Sequence, residues 1–239
     1  MSLRAGAPNL SNRLLAPLPR ADRKRFIAVC EPVLLTFAQV LAQPGAPLTH
    51  AYFPTDAIVS LGLADVGEPS CFEVALVGRE GMVGLPLLLG ASRSALRSTV
   101  VRTGAGLRIA VAALHAALLG SPALAKRTQL YAAVALAQMA QATLCTRYHR
   151  LDQRLARWLL MTQDRAQPGE LHATHEFLAT TLGVRRAGVS RAAASLQRRG
   201  LIAYHRGVLA VVDRPGLQAA ACTCYATDRA SYDALMRPR

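Results

Sequence analysis

Gly183 is the position that most constrains this chain, because it stands between two short amphipathic stretches that read as helices. Ahead of it, Thr174 is placed to cap a helix carrying Phe177, Leu178 and Leu182. Gly183 supplies the positive φ that a tight helix C-terminus needs. Behind it, a second helix carries Val189, Ala192, Ala193 and Leu196 on one face and stops at Gly200. Two short helices joined so tightly must cross closely, and Ala179 is the small residue that permits it. A small residue at 179, glycine at 183 and an apolar residue at 189 give the spacing of a helix-turn-helix. Leu201–Tyr204 and Val208–Val212 flank His205-Arg206-Gly207 and read as a β-hairpin with a basic tip, which makes the motif winged.

The opposite face of the second helix carries Arg185, Arg186, Ser190, Arg191, Ser195, Arg198 and Arg199. Two features there break helix rules. Arg185 and Arg186 sit at the positive end of the helix dipole, where cations are disfavoured. Gly188 lies inside the helix, at about 1 kcal/mol relative to alanine. Phosphates that offset the arginines, and a groove that needs close approach at Gly188, would account for both. The charge distribution agrees. The net charge is +14, yet residues 26–146 hold seven Lys/Arg against six Asp/Glu. Residues 147–215 hold twelve arginines against five acidic residues. A module at +7 suits a polyanion such as double-stranded DNA. The expected DNA-binding residues are Thr174, Arg185, Arg186, Ser190, Arg191 and Arg206.

Between residues 33 and 110 the pattern is one of short apolar runs at near-regular spacing: Val33–Phe37, His50–Phe53, Ile58–Leu63, Cys71–Val77, Thr99–Arg102 and Leu107–Ala110. Turn residues separate them, at Gln43-Pro44-Gly45, Pro54-Thr55-Asp56, Val66-Gly67-Glu68-Pro69 and Gly104-Ala105-Gly106. This predicts an antiparallel roll or barrel. Residues 9–28 read as a helical lead-in with Asn12 as a cap. Ser121-Pro122 reads as an N-cap followed by proline at the first helical position. A breaker-free segment follows to about Arg150, and within it Leu130, Val134, Ala137, Gln141, Leu144 and Tyr148 recur at alternating steps of four and three. That is a coiled-coil seam, expected to join two copies, with the other face of the helix on its own roll. Arg154–Asp164 reads as another helix, and Pro168-Gly169 interrupts the chain after it.

Other classes find little support. No apolar run approaches the ~18 residues that cross a bilayer, so no membrane partner is expected. The segment around Arg4 and Arg13 has no apolar leader core. Five cysteines without regular spacing fit a reducing cytoplasm better than a disulfide scaffold. Cys222-Thr223-Cys224 is a CxC pair readable as a thiol switch or a metal contact, but two thiols do not complete a zinc site, and cysteines without a role are the simpler reading. The six histidines show no metal-ligating spacing, and no nucleophile elbow or P-loop is present. No catalytic residue, metal or cofactor is expected, and the chain does not read as an enzyme.

Val184-Arg185-Arg186-Ala187-Gly188-Val189-Ser190-Arg191, in this order of roll, long helix and winged motif, resembles the Crp/Fnr family of bacterial transcription regulators over nearly the whole chain. Asn12-Arg13-Leu14-Leu15, Tyr52-Phe53-Pro54 and Gly78-Arg79-Glu80-Gly81-Met82-Val83-Gly84 resemble a divergent branch of it. The resemblance implies an α+β protein with an N-terminal cyclic-nucleotide-binding-like jelly roll, a dimerisation helix and a C-terminal winged helix-turn-helix. It implies boundaries at 1–120 for the sensor roll, 121–150 for the dimerisation helix, 151–215 for the DNA-binding domain and 216–239 for a tail. Arg186 and Arg191 match the two arginines with which the family reads bases, while Ala187 replaces the glutamate between them. Gly84 is followed by Leu85, so the carboxylate that holds a cyclic nucleotide's ribose is missing. The phosphate-holding Arg-Ser pair is Arg93-Ser94 or Arg97-Ser98, the second preferred because it leads into a strand. An effector pocket would thus include Gly84, Arg97 and Ser98, for a small-molecule effector of unknown identity. An iron–sulfur sensor of the Fnr kind would need several N-terminal cysteines, and only Cys30 lies in the first 70 residues. The implied partners are double-stranded DNA, a second copy of the chain and RNA polymerase. The rival readings are a signalling or scaffold protein whose winged motif contacts protein, and a non-specific DNA binder.

Overall fold

The computed structural model describes residues 11–64, 71–165 and 171–237. The turns read at Val66–Pro69 and Pro168-Gly169 lie outside the described residues. The chain opens with α1 (Arg20–Ala28), followed by β1 (Glu31–Leu35), β2 (Val40–Ala42), β3 (His50–Pro54), β4 (Ile58–Ala64), β5 (Cys71–Val77), β6 (Arg97–Arg102) and β7 (Gly104–Ala110). These strands form two antiparallel sheets, in the orders β1-β7-β3 and β2-β6-β4-β5. Alternation along the strands sends Leu35, Val59, Leu61, Ala75, Val77 and Val100 into the space between the sheets. The expected roll is present, with one strand more (β2) than its sequence pattern suggested.

Gly104-Ala105-Gly106, expected as a turn, instead lies within β7. A Cβ on Gly104 would stand 2.4 Å from the backbone nitrogen of Ala57, so the glycine serves a close backbone approach. Asn12 does not cap a helix either. Its buried carboxamide donates to the carbonyls of Pro54 at 2.8 Å and Gly81 at 2.9 Å, and its oxygen accepts from Leu14 N. Tyr52 and Val83 exchange both backbone hydrogen bonds. The three segments around Asn12, Tyr52 and Gly81 are therefore one interlocked corner of the roll.

After the roll come α2 (Val111–Gly120) and the 27-residue α3 (Pro122–Tyr148), whose Ser121 cap accepts from Leu124 N at 3.2 Å. Then follow α4 (Leu151–Arg165), β8 (Leu171–His172), α5 (His175–Leu182), α6 (Arg186–Arg198), β9 (Ile202–His205) and β10 (Val208–Val211). The stretch expected as a tail beyond 215 is helical: α7 (Arg214–Ala220) packs on α4 and α8 (Cys224–Met236) packs along α3. No helix among the described residues is long and apolar enough to cross a membrane.

The winged unit and the outer face of the roll share one apolar cluster, in which Ile58, Leu76 and Val101 meet Leu155, Trp158, Leu159 and Leu178. Polar ties accompany it. Arg165 pairs with Glu80 at 3.0 Å, both side chains more than nine-tenths buried. Such a pair is tolerable only when its remaining hydrogen-bonding groups are satisfied. Arg165 also donates to Leu76 O, Met161 O and Gln138 Oε1, and Glu80 accepts from Gly78 N. A Cβ on Gly183 would fall 2.7 Å from the ring of Phe72 in β5, so the bend between α5 and α6 rests directly on the roll.

Candidate nucleic-acid interface

The helix-turn-helix forms as its sequence requires. Thr174 caps α5, its Oγ1 accepting from Phe177 N at 3.1 Å. That leaves the exposed hydroxyl its own proton to donate outward. Gly183 adopts φ +62°, and Val184 N bonds Ala179 O at 2.9 Å across the turn. Val189, Ala192, Ala193 and Leu196 are buried against α4 and α5. The aromatic ring of His175 stacks on Tyr204 at 4.7 Å, and the Tyr204 hydroxyl donates to Ala173 O, which fixes the wing to α5. Burial and the nearby Arg186 charge both lower the pKa of His175, favouring the neutral ring.

Arg185, Arg186, Arg191, Arg198, Arg199 and Arg206 are all exposed, and none of their guanidinium groups makes a hydrogen bond or ion pair with another described residue. Elsewhere arginines have carboxylate partners: Arg157 with Asp228, Arg108 with Glu31, Arg214 with Asp164. Between residues 171 and 212 Glu176 is the single acidic residue against those six arginines. The surface of α6 and the wing is thus an uncompensated cationic face. At the wing tip Arg206 and Gly207 both have positive φ, +47° and +80°, as a two-residue hairpin turn of the tighter kind demands. Arginine in that conformation is strained, by roughly 1 kcal/mol.

Two residues on α6 make contacts inside the unit. Gly188 was read as making room for a groove, but a Cβ there would lie 3.0 Å from Leu151 Cδ2, so its absence serves the packing of α6 on α4. Ser190 Oγ lies 3.0 Å from His175 Nδ1 and 3.2 Å from Arg186 O, engaged within the motif. It braces α5 against α6.

The residues expected at an effector pocket all sit on the roll. Gly84 has φ +105° and packs against Ala51 as it starts a 3-10 turn over Leu85–Leu89. Arg97 and Ser98 open β6, Arg97 opposite Gly62 and Ser98 buried opposite Leu61. Arg93 and Ser94 lie in the preceding loop, where Arg93 donates to Gly45 O. A cleft of about 490 Å³ lies elsewhere, between the roll, α4 and α8, lined by Arg79, Glu80, Asp164, Arg214 and Tyr232 among others.

The coiled-coil seam splits. Ala137, Leu144 and Tyr148 are exposed, but Val134 is fully buried, Leu130 packs on the same cluster, and Gln141 Nε2 donates to Cys224 Sγ at 2.9 Å. The reason is α8, which occupies that side of α3 and had no signature in the heptad pattern. Leu136, outside the expected seam, is 65% exposed. The solvent-facing apolar stripe of α3 is Ala133, Leu136, Ala137, Ala140 and Leu144.

Comparison with known proteins fits this geometry. Residues 153–220 match the model of the Crp-like helix-turn-helix domain. No curated protein matches the chain. Among solved structures, FixK2 from Bradyrhizobium japonicum is similar, with 18% identity, a TM-score of 0.67, and 81% of this chain and 98% of that one covered. TTHA1359, a transcriptional regulator of the CRP/FNR family from Thermus thermophilus, shows 24% identity and a TM-score of 0.64 over 80% of this chain and 98% of its own. The c-di-GMP responsive global regulator CLP from Xanthomonas campestris shows 16% identity and a TM-score of 0.64 over 81% and 99%. Residues 153–220 are thus a Crp-like helix-turn-helix domain, and the chain as a whole shares the fold of these solved structures.

Proposed function

We propose that this protein is a sequence-specific DNA-binding transcription regulator that acts as a homodimer on a pseudo-palindromic site. The observation that carries the reading is the set of six unpaired arginines on α6 and the wing, in a molecule that pairs many of its other arginines with carboxylates. Arg186 and Arg191 are the base readers, each suited to a guanine through O6 and N7. Thr174, Arg185 and Arg206 hold phosphates. These contacts fix register, and the arginine–base pairs supply sequence preference.

The second copy docks on the exposed stripe of α3. Alanines at 133, 137 and 140 permit close approach, and Leu136 and Leu144 supply the apolar area. Two paired α6 helices would enter successive major grooves roughly 34–36 Å apart. Residues 1–120 act as the sensor, 121–150 as the dimerisation helix and 151–215 as the DNA-binding domain. A small-molecule effector at the roll shifts the break between α3 and α4, at His149-Arg150, provided it binds the two states with different affinity. RNA polymerase is the expected partner on the DNA.

Selection from a randomised duplex pool by gel shift, followed by sequencing of the bound fraction, tests this. Two half-sites at one helical turn are expected. Binding without sequence preference would point to a non-specific binder. Weak binding with little salt dependence would point to a protein-contacting motif.

A further inference from the structure

Cys145, His149, Cys222 and Cys224 converge where α3 ends and α8 begins. Cys145 and His149 are one helical turn apart, and the two remaining cysteines flank Thr223, Cys222 lying 77 residues beyond Cys145. Cys145 Sγ lies 3.5 Å from Cys222 Sγ, and Cys224 Sγ lies 3.4 Å from His149 Nδ1. All four ligand atoms lie within 4.8 Å of one another. With Zn–S bonds of ~2.3 Å and Zn–N of ~2.0 Å, a tetrahedron separates its ligand atoms by about 3.5–3.7 Å. The side chains are thus already gathered at nearly the spacing that one ion imposes. They stand too close together to embrace a multi-iron cluster, whose thiolates bind different irons.

We propose that Cys145, His149, Cys222 and Cys224 form a closed tetrahedral zinc site that clamps the start of α8 to the end of α3. Three thiolates and one imidazole leave no open position, which is the donor set of a structural rather than a catalytic ion. The surroundings suit it. The three cysteines are buried and form a small cluster of their own, separate from the larger cores. Gln141 Nε2 donates to Cys224 Sγ at 2.9 Å, the kind of outer hydrogen bond that orients a metal-bound thiolate. Three thiolates around a divalent ion carry one net negative charge. Arg154 and Arg157 are close enough to feel the charge of Cys145, and Arg157 is itself paired with Asp228 of α8. Binding releases the thiol protons to solvent and forms three Zn–S bonds and one Zn–N bond, with no change of oxidation state.

The site also has a consequence for position. His149 is the first of the two residues between α3 and α4, so the ion ties the C-terminal helix to the break between those helices.

Full-length protein purified anaerobically under reducing conditions should contain one equivalent of zinc per chain. Protein produced in cobalt-supplemented medium should show the ligand-field bands of a tetrahedral site and a thiolate-to-cobalt charge-transfer band, both removed by zinc. Cys222→Ser and Cys145→Ser should lose both features, whereas Cys30→Ser and Cys71→Ser should keep them. Because the serine variants can lose the metal simply by failing to fold, His149→Cys provides a second reading. It should retain one equivalent and gain charge-transfer intensity. Folded, fully reduced protein with zinc well below one equivalent would overturn the assignment. An octahedral cobalt spectrum, an unaltered His149→Cys spectrum, or a Cys145–Cys222 disulfide in metal-free protein would do the same.

Discussion

The indole Nε1 of Trp158 donates to Oε1 of Glu73 at 2.9 Å, so a carboxyl of the roll is held beneath the first helix of the winged unit. Oε2 of the same carboxyl is buried without a hydrogen-bond partner. Burial pushes the Glu73 pKa up from 4.5 to about 7, against the pull of hydrogen bonds from Ser60 and Trp158 and the charges of Arg165 and Arg157. Between about pH 4.5 and 7 the native state therefore holds a proton that the unfolded chain has released. Stability falls as pH rises through that window, and the full cost is present above it. Glu73→Gln keeps an acceptor for Trp158 and cannot ionise. Chemical denaturation should find it more stable than the parent by the order of 2 kcal/mol at pH 8 and nearly equal at pH 4. Parallel stability curves for the two proteins across this range would show that Glu73 does not titrate there.

On α6, the Arg186 side chain is exposed and without a partner among the described residues, which is what the proposed role of base reader requires. Arg186→Ala should lose about 1–3 kcal/mol on the preferred duplex and relax preference at one base pair. Its fold should be unaffected, because the buried face of α6 is carried by Val189, Ala192, Ala193 and Leu196. A comparable loss on every duplex, preferred or not, would assign Arg186 to phosphate instead.

The wing offers a cleaner separation of charge from structure. Arg206 holds φ +47°, a conformation that asparagine tolerates better than most residues. Arg206→Asn should keep or slightly raise thermal stability while weakening binding to all duplexes alike. The slope of log affinity against log salt should shrink by about one. An unchanged slope would place the wing tip away from the phosphates.

Much of this molecule is legible in its sequence because its elements are set by local chemistry. The Thr174 cap, the positive-φ Gly183 and the Ser121-Pro122 start each do what their residue types require. Six of the seven roll strands follow from alternation bounded by turn residues. What escapes is whatever depends on a distant partner. Asn12 has the look of a cap, yet Pro54 and Gly81, far along the chain, claim its side chain. Gly188 answers to Leu151 and Gly104 to Ala57, neighbours that no local pattern names. The CxC at 222–224 presents two thiols, and only the packing of α8 on α3 brings Cys145 and His149 to it.

The heptad pattern of α3 shows the same limit and leads to the last prediction. A periodic apolar face is compatible with any partner of the right shape, and α8 of the same chain takes half of the expected seam. Val134 is fully buried in the core that α3 shares with the roll and α8, so altering it tests the core and not the proposed dimer. Val134→Ala should cost about 1–3 kcal/mol of folding stability and leave the dimer constant little changed. Leu136 faces solvent one helical turn from Ala140, and Leu136→Glu should leave the isolated chain as stable as before. In the proposed dimer it would bury two glutamates against apolar neighbours across a two-fold axis, where like charges meet. Sedimentation equilibrium should then show a shift to monomer, with a parallel loss of affinity for a two-half-site duplex and little loss for a single half-site. A Leu136→Glu protein that sediments as a dimer would move the contact to a different face of the molecule.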